Sequence, residues 1–155
     1  MPVVFKTTKI AQRAQSDPLL YEMLRDFGNS WAQFTESVCS GSYVPALTNV
    51  LNVAYVSPHG VYYSRVFDTV HVHGSLALEL TAGSAITKVG ISLPFASKLK
   101  NPGDLSGHGN RWTGGAVLYG RISEDIANAR AEWVFASDAT TYAKDCYFTF
   151  SYVVK

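Results

Sequence analysis

The spacing of apolar residues changes once along the chain, and the first pattern predicts a helix. Over residues 18–38 apolar side chains recur at steps of three and four, close to the 3.5-residue spacing of a coiled-coil seam. Asp17 can cap this helix and Pro18 suits its first position. The six seam positions are Leu20, Leu24, Phe27, Trp31, Phe34 and Val38.

This seam admits two interpretations. It is shorter than the three to four heptads typical of a coiled coil, and Gly28 interrupts it at a cost of about 1 kcal/mol relative to alanine. The helix is either a stem that associates with copies of itself or an amphipathic helix that packs on its own domain. Residues 1–15 have no clear period and are interpreted as an extended arm.

From Tyr43 onward the apolar period is two, which predicts strands. The clearest cases are residues 70–80, whose even positions are apolar apart from Gly74, and the aromatic closing segment 146–154. Gly74 predicts a bend or bulge. Further strands are predicted at 53–56, 61–66, 88–93, 116–122 and 131–136. About seven short strands with turn residues between them indicate an antiparallel β-sandwich or barrel.

Small residues at 39–42 separate the two patterns. They predict an N-terminal arm and helix at 1–40 and a β-domain at 41–155. Residues 101–110 are rich in glycine and are predicted to be a loop that contacts a partner. They lack the strand-to-helix context and the Lys-Ser/Thr pair of a phosphate-binding loop.

Composition narrows the function classes. Charged residues make up 16% of the chain and hydrophobic residues 47%, which suits a surface that packs against neighbours. The net charge of +1 gives no electrostatic case for nucleic acid. No apolar run is long enough for a membrane span or a signal peptide, so we expect a protein made in the cytoplasm. Cys39 and Cys146 are expected to be free, buried thiols.

Five stretches of the β-part carry a resemblance. They read YVPALTNV at 43–50, YSRV at 63–66, VHVHG at 70–74, VGISLPFAS at 89–97 and YFTFSY at 147–152. Together they resemble a domain that recurs in tail-fibre and head-associated proteins of phages and prophages. The resemblance covers residues 43–155 and implies a jelly-roll-like sandwich, commonly trimeric, displayed on a virion.

One position departs from that family. The family has a Gly-Asn type turn after the Arg-Val pair, which suits a tight hairpin, whereas Phe67 and Asp68 stand here. Phenylalanine tolerates a positive φ poorly. We therefore expect a wider turn or one of another type, with Phe67 covering a neighbouring residue.

The sequence offers little for catalysis or metal binding. His71 and His73 share one strand face and are the weak candidates for a metal at a trimer axis, but a solvated strand face is the simpler interpretation. Carboxylates are scattered over predicted loops and the solvent-exposed faces of predicted strands, and Cys146 falls on the apolar face of the last strand. We therefore predict no metal, no cofactor and no enzymatic activity.

Exposed aromatic residues are the best candidates for binding. The chain has more tyrosine and tryptophan residues than one small core can hold, and exposed rings stack on sugars or anchor interfaces. Trp112 is the favoured exposed ring, and its neighbour Arg111 and Tyr142 are the other candidate binding residues, for a glycan or a protein partner. The alternative is that Trp112 closes the end of the sandwich.

Two functions follow from these observations. The first is a trimeric capsid decoration, cement or head-fibre protein that binds the shell through its N-terminal part. The alternative is a receptor-binding tail-fibre or tip protein that recognises a host surface glycan. In either case the predicted partners are copies of itself and other virion proteins, and nucleic acid and membrane are not expected.

Overall fold

The computed structural model describes residues 19, 22, 23, 25–30, 38–112 and 116–154. The chain divides into two units, Met1–Ser37 and Val38–Lys155. In the first unit the described residues are helical. In the second unit the described residues form strands β1 (Val38–Ser42), β2 (Leu47–Leu51), β3 (Val53–Val66), β4 (Thr69–Leu80), β5 (Ile86–Ile91), β6 (Leu105–Trp112), β7 (Val117–Asp125), β8 (Arg130–Ala136) and β9 (Lys144–Val153), with a 3₁₀ turn at Ile126–Asn128.

The strands form one antiparallel sheet in the order β1-β3-β4-β9-β6-β7-β8-β5-β2, curled into a half-barrel. The prediction of a mainly antiparallel β-fold is confirmed. The described strands form one continuous curled sheet, in which every strand between the edges has a hydrogen-bonded neighbour on both sides. Strand β9 lies near the middle, between β4 and β6, and its two faces therefore organise both the core and the outer surface.

The core lies on the inner face of the curl. The alternation predicted for residues 70–80 is confirmed, since the even positions of β4 other than Gly74 are buried. The closing strand behaves the same way, with Cys146, Phe148, Phe150 and Tyr152 all buried. Period-two patterning therefore identified the inner face of both central strands, because successive side chains on a strand point to opposite faces.

The helical seam is corrected at its last position. Val38 is the first residue of β1 and pairs with Val66 of β3, so its assignment to the helix is wrong. Sheet hydrogen bonds to a distant strand override the local helical spacing there. Phe27 belongs to a helical segment and is 67% exposed. Leu20, Leu24, Trp31 and Phe34 lie outside the described residues, and a helical stem stays a prediction.

Strand β3 is longer than predicted because it joins two predicted strands into one of 14 residues. A β-bulge between Pro58 and Val61 interrupts its register with β4, directly opposite Gly74. A side chain at Gly74 would meet the carbonyl oxygen of Gly60 at 2.7 Å. The predicted irregularity at Gly74 is thus confirmed, and the one extra residue of the bulge lies in the partner strand, β3.

The glycine-rich segment is also corrected. Residues 105–112 form β6, which hydrogen-bonds to β9 on one side and β7 on the other, so the prediction of a loop through residue 110 is wrong. Gly109 and Gly120 lie opposite each other, and a Cβ at Gly109 would come within 2.6 Å of the Trp133 indole. Glycine is needed there because a large buried ring passes directly over the strands.

The β3–β4 hairpin has a two-residue turn, because Val66 pairs with Thr69. The expectation of a wider turn is therefore wrong. Phe67 adopts a φ of 54°, and its carbonyl accepts a hydrogen bond from Arg65 Nε at 2.7 Å. Its side chain is 58% exposed. The register of the two strands forces a left-handed residue at this position, although phenylalanine disfavours that conformation.

Replacing Phe67 with glycine is expected to raise the free energy of unfolding. Glycine removes a left-handed penalty of about 1–2 kcal/mol, and the greater backbone freedom of the unfolded glycine offsets about half of it. Phe67→Ala is the matched control, because it removes the ring but keeps the Cβ and hence the strain. Urea unfolding should show the glycine variant above both wild type and the alanine variant. Equal stability of the two variants would contradict strain at Phe67.

Candidate functional site

A groove opens on the outer face of the sheet beside the first residues of β9. It has a volume of about 380 Å³ and is lined by Trp112, Lys144, Asp145 and Tyr147; we call it the outer groove. Trp112 ends β6 and is 56% exposed, and Tyr147 of β9 is 55% exposed. Two large rings therefore stand at the surface beside an ammonium group and a carboxylate group.

Strand pairing explains why these residues meet. Tyr147 lies directly opposite Asn110 of β6, and Cys146 lies opposite Arg111. Since neighbouring positions on a strand alternate between faces, Asp145 and Trp112 come next to each other on the outer face. The same register places Asp145 opposite Ala77 of β4.

Two further depressions adjoin the outer groove and share its residues. One, of about 380 Å³, also has Lys144 and Asp145 in its lining and extends to His59 and Ala77. The other, of about 140 Å³, shares Tyr147 and extends to His108 and Thr149. His59 Nδ1 lies 3.7 Å from a carboxylate oxygen of Asp145. The three depressions share lining residues on β9, and we call the three together the extended groove.

The structure places Trp112 and Tyr142 on the surface, as predicted. Tyr142 is 59% exposed, and Lys144 Nζ lies 4.6 Å from the centroid of its ring. This cation–π contact links Tyr142 to the lysine of the outer groove. Trp112 ends β6 and is 56% exposed, which favours the interpretation of an exposed ring over that of a ring closing the end of the core.

Arg111 does not belong to the surface. Its side chain is fully buried on the inner face of β6, so its prediction as an exposed binding residue is corrected. Arg111 Nη1 donates to Asp138 Oδ1 at 3.3 Å and Nη2 donates to the carbonyl of Tyr142 at 3.0 Å. Because β6 is a strand and not a loop, Arg111 and Trp112 point to opposite faces. Arg111 anchors the segment that presents Tyr142.

The remaining candidates for chemistry have structural environments. Burial raises the pKa of the Cys146 thiol to about 12, so the thiol stays protonated at neutral pH. Both cysteines are free, as expected, and Cys146 is buried, but the prediction of burial is wrong for Cys39, which is half-buried. His71 Nδ1 lies 2.7 Å from Ser151 Oγ, and the His73 ring stacks on Tyr62 with centroids 5.7 Å apart. Both histidines are exposed on the outer face.

The described residues hold no group of three or more histidine, cysteine or acidic side chains placed to bind a metal ion. Among the same residues, no helix has the length and apolar character needed to span a membrane.

Three residues that line the outer groove, Lys144, Asp145 and Tyr147, were not candidates from the sequence. A signal for Tyr147 was present, because Asp145, Tyr147 and Thr149 alternate with the apolar positions of the closing strand and so lie on its outer face. The position of Lys144 and Asp145 beside Trp112 depends on the pairing of β9 with β6, which local sequence patterns do not report.

Comparison with known proteins gives no family assignment. No protein-family model matches the chain, and no curated protein or solved structure matches it either. The resemblance to phage tail-fibre and head-associated proteins therefore stays a prediction.

Proposed function

We propose that this protein is a non-enzymatic structural protein of a phage particle, a decoration, cement or head-fibre protein that works as a homotrimer. The observation that supports self-association is the character of the two sheet edges. Among the described strands β1 has β3 as its neighbour and β2 has β5. Neither edge strand contains a charged residue or a proline. Proteins that work alone usually protect their edge strands with such residues.

The edges also carry exposed apolar side chains. Val38 of β1 is 39% exposed, and Leu51 of β2 is 48% exposed. The two edges are different strands, so a contact between β1 of one subunit and β2 of the next is heterologous. Heterologous contacts generate closed rings when the rotation between subunits fits. A ring of three subunits would cover every edge, and the virion is the proposed location of this ring.

The solution mass of the full-length protein tests this association. Light scattering should give a trimer, and a lysine at Ser40 of β1 or at Thr48 of β2 should shift the mass towards the monomer. Ser106→Lys is the control, since Ser106 is exposed on β6, which has a neighbour on each side. A monomeric wild-type protein, or equal loss of trimer in all three variants, would argue against edge association.

The proposed location needs its own experiment. The protein is expected to band with phage particles in a density gradient prepared from the strain that encodes it, and to be detected there by mass spectrometry. Recovery in the soluble fraction alone would refute a place on the particle.

Recognition of a host surface glycan is the second proposed function. The outer groove favours it, because two exposed rings border a concave site that also offers charged hydrogen-bonding groups. Its volume falls within the range of small-molecule sites, about 300–1,000 Å³. A virion protein of this kind would both assemble as a trimer on the particle and bind a glycan on the host surface.

A further inference from the structure

We propose that the extended groove binds a neutral oligosaccharide, with sugar rings packed on Trp112 and Tyr147. This inference rests on the second proposed function, glycan recognition, and names the class of ligand and its binding site. It is independent of whether the protein assembles on a particle.

The two rings provide the apolar part of the site. Trp112 and Tyr147 leave more than half of their surfaces exposed on the outer face, although both lie in strands of the central sheet. A pyranose ring has an apolar C–H face that packs on an aromatic ring and leaves its hydroxyl groups at the rim. Because each ring extends from a strand, its backbone is held by the sheet and little order must be gained on binding.

The polar groups around the rings suit hydroxyl groups. The carboxylate of Asp145 accepts hydrogen bonds, the ammonium group of Lys144 donates them, and the side-chain amide of Asn110 does both. Asn110 lies opposite Tyr147 and lines the depression beside it. A sugar with neighbouring hydroxyl groups can bind such a mixed set, whereas an apolar ligand would leave these groups without partners.

The charge of the groove indicates a neutral ligand. Its lysine stands beside an aspartate in the sequence, and His59 lies 3.7 Å from that same aspartate. Sites for acidic sugars or for phosphate groups concentrate arginine and lysine residues, and single-stranded nucleic acid needs a basic channel. With one cation and one anion at its centre, the outer groove lacks a surplus of positive charge.

The length of the site indicates several sugar units. The residues that line its three depressions extend from His108 and Thr149, through Tyr147 and Asp145, to His59. His59 reaches this face from the bulge in β3 between Pro58 and Val61. Bulges commonly redirect a side chain towards a site. A chain of sugars along this path would contact four strands.

Binding of defined oligosaccharides to the full-length protein tests the proposal. The neutral probes are cellotetraose, maltotetraose, a mannotetraose and N-acetylchitotetraose. The acidic probes are a tetragalacturonate and an oligomer of sialic acid, and a single-stranded oligothymidylate represents nucleic acid. Titration calorimetry compares wild type with Trp112→Ala, Tyr147→Ala and Phe67→Gly. The last variant removes an exposed ring at the opposite end of the sheet and serves as the matched control.

We expect at least one neutral probe to bind, with affinity about tenfold lower in each groove variant and unchanged in Phe67→Gly. Retained affinity in Trp112→Ala and Tyr147→Ala would refute the groove as the site while leaving glycan recognition intact. Binding of the acidic probes or the oligothymidylate alone would refute the neutral ligand class. Failure of every saccharide to bind at millimolar concentration would refute both the site and glycan recognition. Circular dichroism of each variant confirms that the sheet is folded.

Discussion

Gly109→Ala is expected to lower the free energy of unfolding by about 3 kcal/mol, at the upper end of the cost of overpacking. The three nearest atoms to a Cβ at this position all belong to the Trp133 indole, at 2.6–2.9 Å. Trp133 is fully buried and stacks on Phe135 with ring centroids 4.7 Å apart, so a shift of its ring would disturb the packing of a second buried ring. Urea unfolding measures the loss, which is a large share of a stability of about 5–15 kcal/mol.

A double-mutant cycle with Trp133→Phe shows whether the clash is the cause. Phenylalanine is smaller than the indole, so the ring can shift away from the new methyl group, and Gly109→Ala should cost at least about 1 kcal/mol less in that background. Gly60→Ala is the control within a strand, since its Cβ would meet the Tyr62 ring at 3.3 Å or more. It should change stability by less than about 1 kcal/mol. An additive cycle would contradict the role assigned to Gly109.

Asp138→Ala is expected to destabilise the protein by about 3 kcal/mol. Arg111 is fully buried, and this change removes its ion-pair partner while Asp138 itself is 31% exposed. An uncompensated buried charge costs about 3–5 kcal/mol, and the partial exposure of the carboxylate places this pair at the lower end. Asp138 also accepts hydrogen bonds from the Thr140 amide and hydroxyl, which orders the segment leading to Tyr142.

Two further variants separate the buried charge from the rest of the effect. Arg111→Met in the Asp138→Ala background removes the charge and should recover part of the loss, because an apolar side chain of similar length suits the core. Glu132→Gln weakens a more exposed ion pair, in which Lys88 Nζ lies 3.0 Å from Glu132, and should cost less than about 1 kcal/mol. If Arg111→Met lowered stability further in the double variant, the buried charge would not explain the loss.

The sequence predicted the faces of strands better than their neighbours. Residues 70–80 and 146–152 showed which side chains point inward, because alternation is a local consequence of the extended backbone. Alternation did not predict the strand at residues 105–112, because the glycines at 107 and 109 are typical of a loop. Gly109 is needed because the Trp133 ring of β8 lies over it, and Gly107 because Thr149 and Phe150 of β9 pass close to it. Both contacts come from residues more than 20 positions further along the chain, and local patterns carry no information on them.

The candidate site was likewise predicted only in part, since the sequence indicated exposed side chains but not their neighbours in the sheet. Trp112 and Tyr142 were predicted as exposed rings, because a small core cannot hold every aromatic residue of this chain. Arg111 was predicted beside them because it is adjacent in sequence. The strand turns it to the opposite face, where it pairs with Asp138 and the Tyr142 carbonyl. Tyr147 and Asp145 join the site through the register between β9 and β6.

The amino-acid sequence by itself determined that this is a mainly β protein with few charges, alternating strand faces and surplus aromatic rings. These properties depend on composition and on neighbours one or two positions away. Only the tertiary structure decided the order of the strands, the left-handed turn at Phe67, the burial of Arg111 and the groove beside Trp112. Each of these depends on which distant strands pair and in what register. Pairing fixes which side chains share a face and which positions have no room for a side chain and must be glycine.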